Sequence, residues 1–260
     1  LGFKYGRAVF APKDAPFSLY EAPPGSGKDI YFAVGNILHR SLLGYSVFAP
    51  DVKLELGPML IPGLKSAGVE TWGINPTHQF VDRCGDVELG LYQSILDAVY
   101  SDNPETRKDA VGIAKEIAQL QLPDSPGNDK NRYFSGGARR CLPVPPLLNA
   151  LIDPANCTPG ATFAMLNDPN QFIRVLQTID KELEPLVEDD RIVAFLKSEA
   201  RNLLARAEKN EENFGSFLEW ATQVLSPYNQ AGYLADYGRA PTHNIRQMCE
   251  RPITAMPMVP

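Results

Sequence analysis

Apolar residues follow two rhythms along this chain. From Gly6 to Pro76 they fall in short runs, Arg7 to Ala11, Phe17 to Glu21, Tyr45 to Pro50 and Val69 to Asn75, separated by stretches with helical spacing. Such alternation predicts an α/β unit with a parallel sheet, since parallel strands need crossovers long enough to hold a helix. From about Val87 to Val224 the interval becomes three or four residues: Leu91, Ile95, Val99; Ile113, Ile117, Leu120; Phe172, Val175, Leu176, Ile179; Ile192, Phe195, Leu196; Phe214, Phe217, Leu218, Ala221. That spacing puts one apolar stripe on each of a series of helices and predicts an all-helical zone. After Ser226-Pro227 the chain turns loop-like, and Pro252 to Val259 reads as one more strand despite its prolines.

Two interruptions fall inside the helical zone. Leu122 to Asn131, with Pro123, Asp124, Ser125, Pro126, Gly127 and Asn128, has the composition of a loop between helices. Pro143, Pro145 and Pro146 sit in an otherwise helical pattern from Ala138 to Ile152. Each removes an amide donor and crowds the preceding turn, so the helix is expected to kink or break there.

The one segment with a clear chemical signature is Ala22-Pro23-Pro24-Gly25-Ser26-Gly27-Lys28-Asp29, between the apolar run Phe17 to Glu21 and the helical stretch Ile30 to Arg40. Strand, glycine-rich turn and helix are the context a phosphate-binding loop requires. Gly25 and Gly27 let main-chain amides turn inward, and the helix that follows offers its unpaired N-terminal amides and positive dipole end to an anion. Gly25, Ser26, Gly27, Lys28, Asp29 and Ile30 are therefore the candidate ATP-binding residues, with Lys28 reaching the β- and γ-phosphates. Ala22 stands where the phosphate-loop pattern has its first glycine, and Asp29 where it has a Ser or Thr ligand to Mg²⁺. The Asp29 carboxylate has two readings: a metal ligand in its own right, or a repulsive charge worth about 4 kcal/mol at ~4 Å in an effective dielectric of 20.

Composition narrows the field. With 260 residues, 44% hydrophobic and 22% charged, the chain is that of a folded protein. Its formal charge of -6 opposes a broad phosphate-neutralising surface, since nucleic-acid affinity comes largely from clustered Lys and Arg. No apolar run approaches the ~18 to 20 residues of a membrane span. Leu1 in place of Met, with no signal-peptide pattern, leads us to expect an excerpt or a processed piece. Cys84, Cys141, Cys157 and Cys249 are too far apart for a zinc motif and read as free buried thiols. His39, His78 and His243 are scattered and support no hydrolase triad.

These residues resemble, in order, the coupling-protein ATPases of type IV secretion and conjugation systems. Gly6-Arg7 and the following run look like the family's lead-in strand, Pro23-Pro24-Gly25-Ser26-Gly27-Lys28 like its Walker A loop, and Ile30 to Leu43 like the helix behind it. Tyr45 to Leu56 is similar to a strand running into the family's D-P-K-G-E, with Val52 and Leu54 where that pattern has Pro and Gly. Val69 to Pro76 ends in Asn75-Pro76 as the family's strand does. Asn131 to Arg139 resembles the N-P-Y-F-x-x-x-A-R lead into a helix of its all-α domain, with Arg132 in place of Pro. Arg251 to Pro260 looks like the strand that resumes the nucleotide domain. The resemblance implies an α/β, RecA-like P-loop nucleotide-binding domain with an inserted all-α domain: residues 1–83, then the insertion at 84–235, then the return at 236–260. It implies ATP and Mg²⁺ as cofactors, Asp29 as the metal-side position, and a hexamer in the full-length protein. The partners implied are secretion-system subunits and DNA, nucleoprotein or protein substrates, at the cytoplasmic side of the inner membrane. No catalytic residue is assigned, because no Walker B acidic pair is present. Two alternatives stand beside the motor: a non-hydrolysing adaptor or degenerate copy of the same fold, and a P-loop kinase-like enzyme with the helical zone as a lid.

Other residues carry two readings each. Asp51 and Glu55 either face a nucleotide at the sheet's C-terminal edge or cap the next helix. Arg139 and Arg140 either meet phosphate or are solvated and salt-bridged. Trp72, Phe80, Tyr92, Tyr133 and Phe134 either stack nucleic-acid bases or pack a core. The acidic residues Glu182, Glu184, Glu188, Asp189 and Asp190 read as a solvated helix end or a recruiting surface for a basic partner. The alternating charges from Lys197 to Glu212 read as an exposed helical face.

Overall fold

The structure, a computed structural model, describes residues 2–4, 7–9, 29–123, 129–185, 190–232, 234–235 and 237–258; for 2–4, 7–9, 29–31 and 129–130 it describes the main chain alone. The chain divides into two compact units, Leu1–Val87 with Ile245–Pro260, and Glu88–Asn244.

The first unit is built on a three-stranded parallel sheet. Strands β1 (Gly2–Lys4) and β2 (Arg7–Val9) form a separate antiparallel pair, so Arg7–Val9, part of a run expected in the parallel sheet, pairs outside it. A helical stretch from Asp29 begins as a π-helix through Val34 and continues as α1 (Gly35–Leu42). It leads to β3 (Val47–Phe48), α2 (Leu56–Ser66), β4 (Thr71–Ile74) and the single turn α3 (Val81–Cys84). After the second unit come the short α12 (Gln247–Glu250) and β5 (Thr254–Pro257), which enters between β3 and β4 and runs parallel to both. On this central strand the buried Thr254 pairs with Val47 on one side and Thr71 on the other. The Thr254 hydroxyl also bonds Ser41 of α1 at 2.6 Å, tying the helix to the sheet in the interior. Ile37, Leu60, Ile61, Leu64, Cys84, Met256 and Met258 close the core between these elements.

The second unit is helical: α4 (Gln93–Val99), α5 (Pro104–Gln121), α6 (Asp129–Cys141), α7 (Val144–Ile152), α8 (Pro159–Leu166), α9 (Pro169–Glu182), α10 (Arg191–Lys209) and α11 (Glu211–Leu225). Three of these helices start from an acceptor side chain followed by proline, at Asn103-Pro104, Thr158-Pro159 and Asp168-Pro169. The cap oxygen takes an otherwise unpaired first-turn amide, and proline at the first position has no amide to leave over. Asp190 and Asn210 cap α10 and α11 in the same way. The proline cluster breaks the Ala138 to Ile152 pattern as expected, into α6 and α7 at Leu142-Pro143. The unit's core runs from Tyr92 and Ile95 through Leu147, Phe172 and Leu196 to Phe217 and Leu225, with Phe172 and Phe214 stacked.

The ends of this unit are clasped together by Glu88. Its carbonyl accepts the amides of Thr242 and His243, and its carboxylate accepts those of Gly238 and Ala240. Chain termini that meet at one place are what an insertion between β4 and β5 requires. The expected domain limits were 83 and 235; the units divide after Val87 and Asn244.

Several charged positions differ from expectation. Glu199 is buried on α10, not exposed, and binds Arg140 through two hydrogen bonds of 2.6 and 3.1 Å. Asp190 is buried too, and its carboxylate caps α10 while pairing with Arg107 at 3.1 Å. In each case a charged partner distant in sequence meets the cost of desolvating a carboxylate. Of the four free cysteines, three are buried and Cys249 is exposed.

Candidate nucleotide-binding site

Gly25, Ser26, Gly27 and Lys28 lie outside the described residues, as do the side chains of Asp29 and Ile30. What is described is the main chain that receives them: Asp29 and Ile30 open the π-helical turn that becomes α1. A change from i→i−5 to i→i−4 pairing leaves one carbonyl over at the junction. There the Asn36 side-chain amide donates to the Phe32 carbonyl at 2.8 Å. Helical pairing thus starts directly after Lys28. Among the described residues no group of three or more His, Cys, Asp and Glu side chains gathers to hold a metal.

At the C-terminal edge of the sheet, β3 and β4 each run into a tightly held loop. Asp51 follows β3, its amide bonded to Pro257 of β5 at 2.8 Å. Its buried carboxylate accepts the amides of Glu55 at 3.1 Å and Gly57 at 2.8 Å, and so caps α2 from upstream. Of the two readings open for Asp51, the structure gives the cap. The exposed Glu55 makes no side-chain cap for that helix. After β4, Asn75 is buried and clamps its own loop: its carbonyl oxygen accepts the Gln79 amide and its amide donates to the Gln79 carbonyl. His78 pairs with Asp86 across the same loop at 2.8 Å.

Three non-glycine residues among those described have positive φ: Leu54 at 57°, His78 at 52° and Phe80 at 54°. All three stand in these two loops. The left-handed region costs an ordinary L-residue roughly 1–2 kcal/mol, and such residues gather where a structure holds a site in a fixed shape. Parallel α/β sheets bind ligands beyond this same edge. The strain at His78 and Phe80 was not read from the sequence; Asn75-Pro76 after an apolar strand is the only signal there.

The remaining candidates are occupied in packing. Trp72 and Tyr92 are buried, and Tyr133 and Phe134 meet Phe217 edge-on or tilted within the helical unit. Phe80 and Tyr133 are both half-exposed, Phe80 on a sheet-edge loop and Tyr133 on α6. Arg140 is committed to Glu199, and Arg139 bonds Gln119 and the Ser135 hydroxyl.

A scan against protein-family models matches none, and a search of curated proteins finds no significant relative. Among the described residues no helix is long and apolar enough to cross a membrane.

Proposed function

We propose that the first unit binds ATP through Gly25, Ser26, Gly27 and Lys28, as the nucleotide domain of a motor like the type IV secretion and conjugation coupling proteins. The observation that carries this reading is the passage from Gly25-Ser26-Gly27-Lys28 straight into the helical Asp29–Leu42, within a unit built on a parallel sheet. Main-chain amides of the loop and the helix start bind the phosphates, and Lys28 neutralises charge on the β- and γ-phosphoryl groups. The strained loops after β3 and β4 support a ligand beyond the C-terminal edge of the sheet. The helical unit between β4 and β5 then engages DNA, nucleoprotein or protein cargo, in a hexamer at the cytoplasmic side of the inner membrane.

Asp29 favours a second reading at one point. A carboxylate in the place of the Mg²⁺-binding hydroxyl suits a protein that holds nucleotide without hydrolysing it, an adaptor rather than a motor.

Calorimetric titration of the chain with ATP, with and without Mg²⁺, tests the site. Binding is expected in the parent and its loss in Lys28→Ala, with the circular dichroism spectrum unchanged; equal affinity in the variant rejects the phosphate loop. If Mg²⁺ weakens neither binding nor its dependence on Lys28 and no phosphate is released, the adaptor reading prevails.

A further inference from the structure

The helical unit ends in a segment, Tyr237 to Asn244, that is bonded back onto the stretch by which the chain enters the same unit, Glu88 to Asp97. Glu88 holds it through main chain and side chain alike. Its carbonyl accepts the Thr242 amide at 3.0 Å, and its own amide donates to the Thr242 hydroxyl at 3.1 Å. At Gly238 the chain turns with φ of 85°, which glycine adopts without strain, and the amides of Gly238 and Ala240 converge on one oxygen of the Glu88 carboxylate at 2.6 and 3.2 Å. Leu89 donates its amide to the Tyr237 hydroxyl at 3.4 Å and forms a parallel bridge with His243. The Asn244 side chain donates to the Asp97 carboxylate of α4 at 3.0 Å.

All of these attachments are polar, and the apolar core of the unit lies elsewhere. Among the described residues that core runs from Tyr92 to Tyr228 and takes no side chain from 237–244. Arg239, Ala240, Pro241 and Thr242 are exposed. A segment held by hydrogen bonds close to solvent opens at far lower free energy than helices that share a core. Bonds between neutral partners contribute least to such an attachment, and bonds to a charged acceptor most. The pair of amides on the Glu88 carboxylate is therefore the strongest described hold on the segment.

We propose that 237–244 is a strap that releases while the helical core stays folded, with the Glu88 carboxylate as its latch. Release lengthens the free chain between α11, which ends at Leu225, and β5, which begins at Thr254. One of the two covalent connections between the first unit and the helical unit then slackens without either core unfolding. Any ligand that favours the closed or the open strap shifts this equilibrium by as much as its affinities for the two states differ, which makes the strap a point of regulation. Every residue of the latch lies in the helical unit, so the device goes beyond the nucleotide reading and operates whether or not the first unit binds ATP.

Native-state hydrogen exchange of the full chain, read by NMR at a series of low urea concentrations, tests the strap. Relative to their unfolded rates, the amides of Gly238, Ala240 and Thr242 are expected to exchange at least about a hundredfold faster than those of Leu203 on α10 and Leu218 on α11, and with little dependence on urea. In Glu88→Ala the strap amides should exchange about tenfold faster still, again with little dependence on urea, and Glu88→Gln, which keeps a neutral acceptor, should fall between. Tryptic cleavage after the exposed Arg239 should quicken by a similar factor in Glu88→Ala, because it follows the population of the open strap. Thr242→Val removes only the hydroxyl that Glu88 bonds; it should quicken strap exchange more weakly and serves where Glu88→Ala fails to fold. Strap and core amides that exchange with one protection and one urea dependence in the parent chain would show that the segment opens only with the whole unit. Strap exchange unchanged in Glu88→Ala would show that the carboxylate is no latch. Either result overturns the proposal.

Discussion

The carboxylate of Asp51 is bonded to the amide of Gly57 at 2.8 Å, six residues on, and that bond joins the end of β3 to the first turn of α2. Gly57 has no room for a side chain: a Cβ there would lie 2.5 Å from the Met258 sulfur. The carboxylate thus has a fixed partner in the interior, and the sheet and helix are locked at one point. Asp51→Ala leaves the amides of Glu55 and Gly57, at the start of α2, without their acceptor and is expected to cost about 1–2 kcal/mol. Urea unfolding of the variant measures this loss, and faster hydrogen exchange at the Gly57 amide locates it. ATP affinity should not change, because the carboxylate serves the helix.

Leu54 supplies a second prediction three residues after Asp51. It holds φ of 57° where the resembling pattern carries glycine, so the backbone keeps a shape that favours glycine while the side chain is leucine. Its side chain packs against the core of the first unit, which compensates for the strain. Removing that packing in two ways isolates the backbone term. Leu54→Gly is expected to be about 1 kcal/mol more stable than Leu54→Ala, the reverse of the usual order at ordinary φ. Parallel denaturation curves of the two variants decide it.

Adjacent glycines on α6 have opposite expected responses. A Cβ on Gly137 would fall inside the Phe217 ring of α11, whereas one on Gly136 meets nothing within 4 Å. Gly137→Ala must push α6 and α11 apart or turn the ring, at a cost of about 1–3 kcal/mol. Gly136→Ala only trades a flexible residue for a good helix former and should stabilise by roughly 0.5–1 kcal/mol. Thermal melting of both variants reads the sign directly; a loss of similar size at Gly136 would mean that α6 packs differently.

What the sequence made legible was local. The spacing of Phe172, Leu176 and Ile179 on α9, the cap-then-proline pairs before α5, α8 and α9, and the break at Pro143 all depend on neighbours within a turn or two. The partners of Glu199 and Asp190 are 59 and 83 residues away, so their alternating or clustered charges resembled a solvated surface. The sheet edge shows the same division. Asp51 and Asn75 were visible as polar ends of apolar strands. The left-handed turns at His78 and Phe80 come from closing a loop against the sheet; histidine is only modestly enriched in that region and phenylalanine does not signal it.

Burial fixes a last prediction, in alkaline solution. Desolvation pushes the thiols of Cys141 and Cys157 from an ordinary 9.0 up to about 12, and the Tyr92 phenol from 10.0 to about 12. All three lie in the helical unit. For a group whose pKa rises on folding, the unfolded chain releases its proton first. As pH climbs above about 9 for the thiols and about 10 for the phenol the native state therefore holds more protons than the unfolded state, and stability falls with a slope approaching 1.4 kcal/mol per pH unit for each group. Below pH 8 these groups contribute no slope. Urea unfolding between pH 7.5 and 10.5 should show stability level at first and then declining. Cys141→Ala, which removes one such proton, should make the alkaline decline shallower even though the cavity lowers stability throughout. The same burial protects the thiols chemically, since alkylation needs an exposed thiolate. Brief iodoacetamide treatment of the folded chain should label Cys249 and spare Cys84, Cys141 and Cys157. Prompt labelling of Cys141, read by peptide mass mapping, would show that the helical unit opens far more readily than its packing implies.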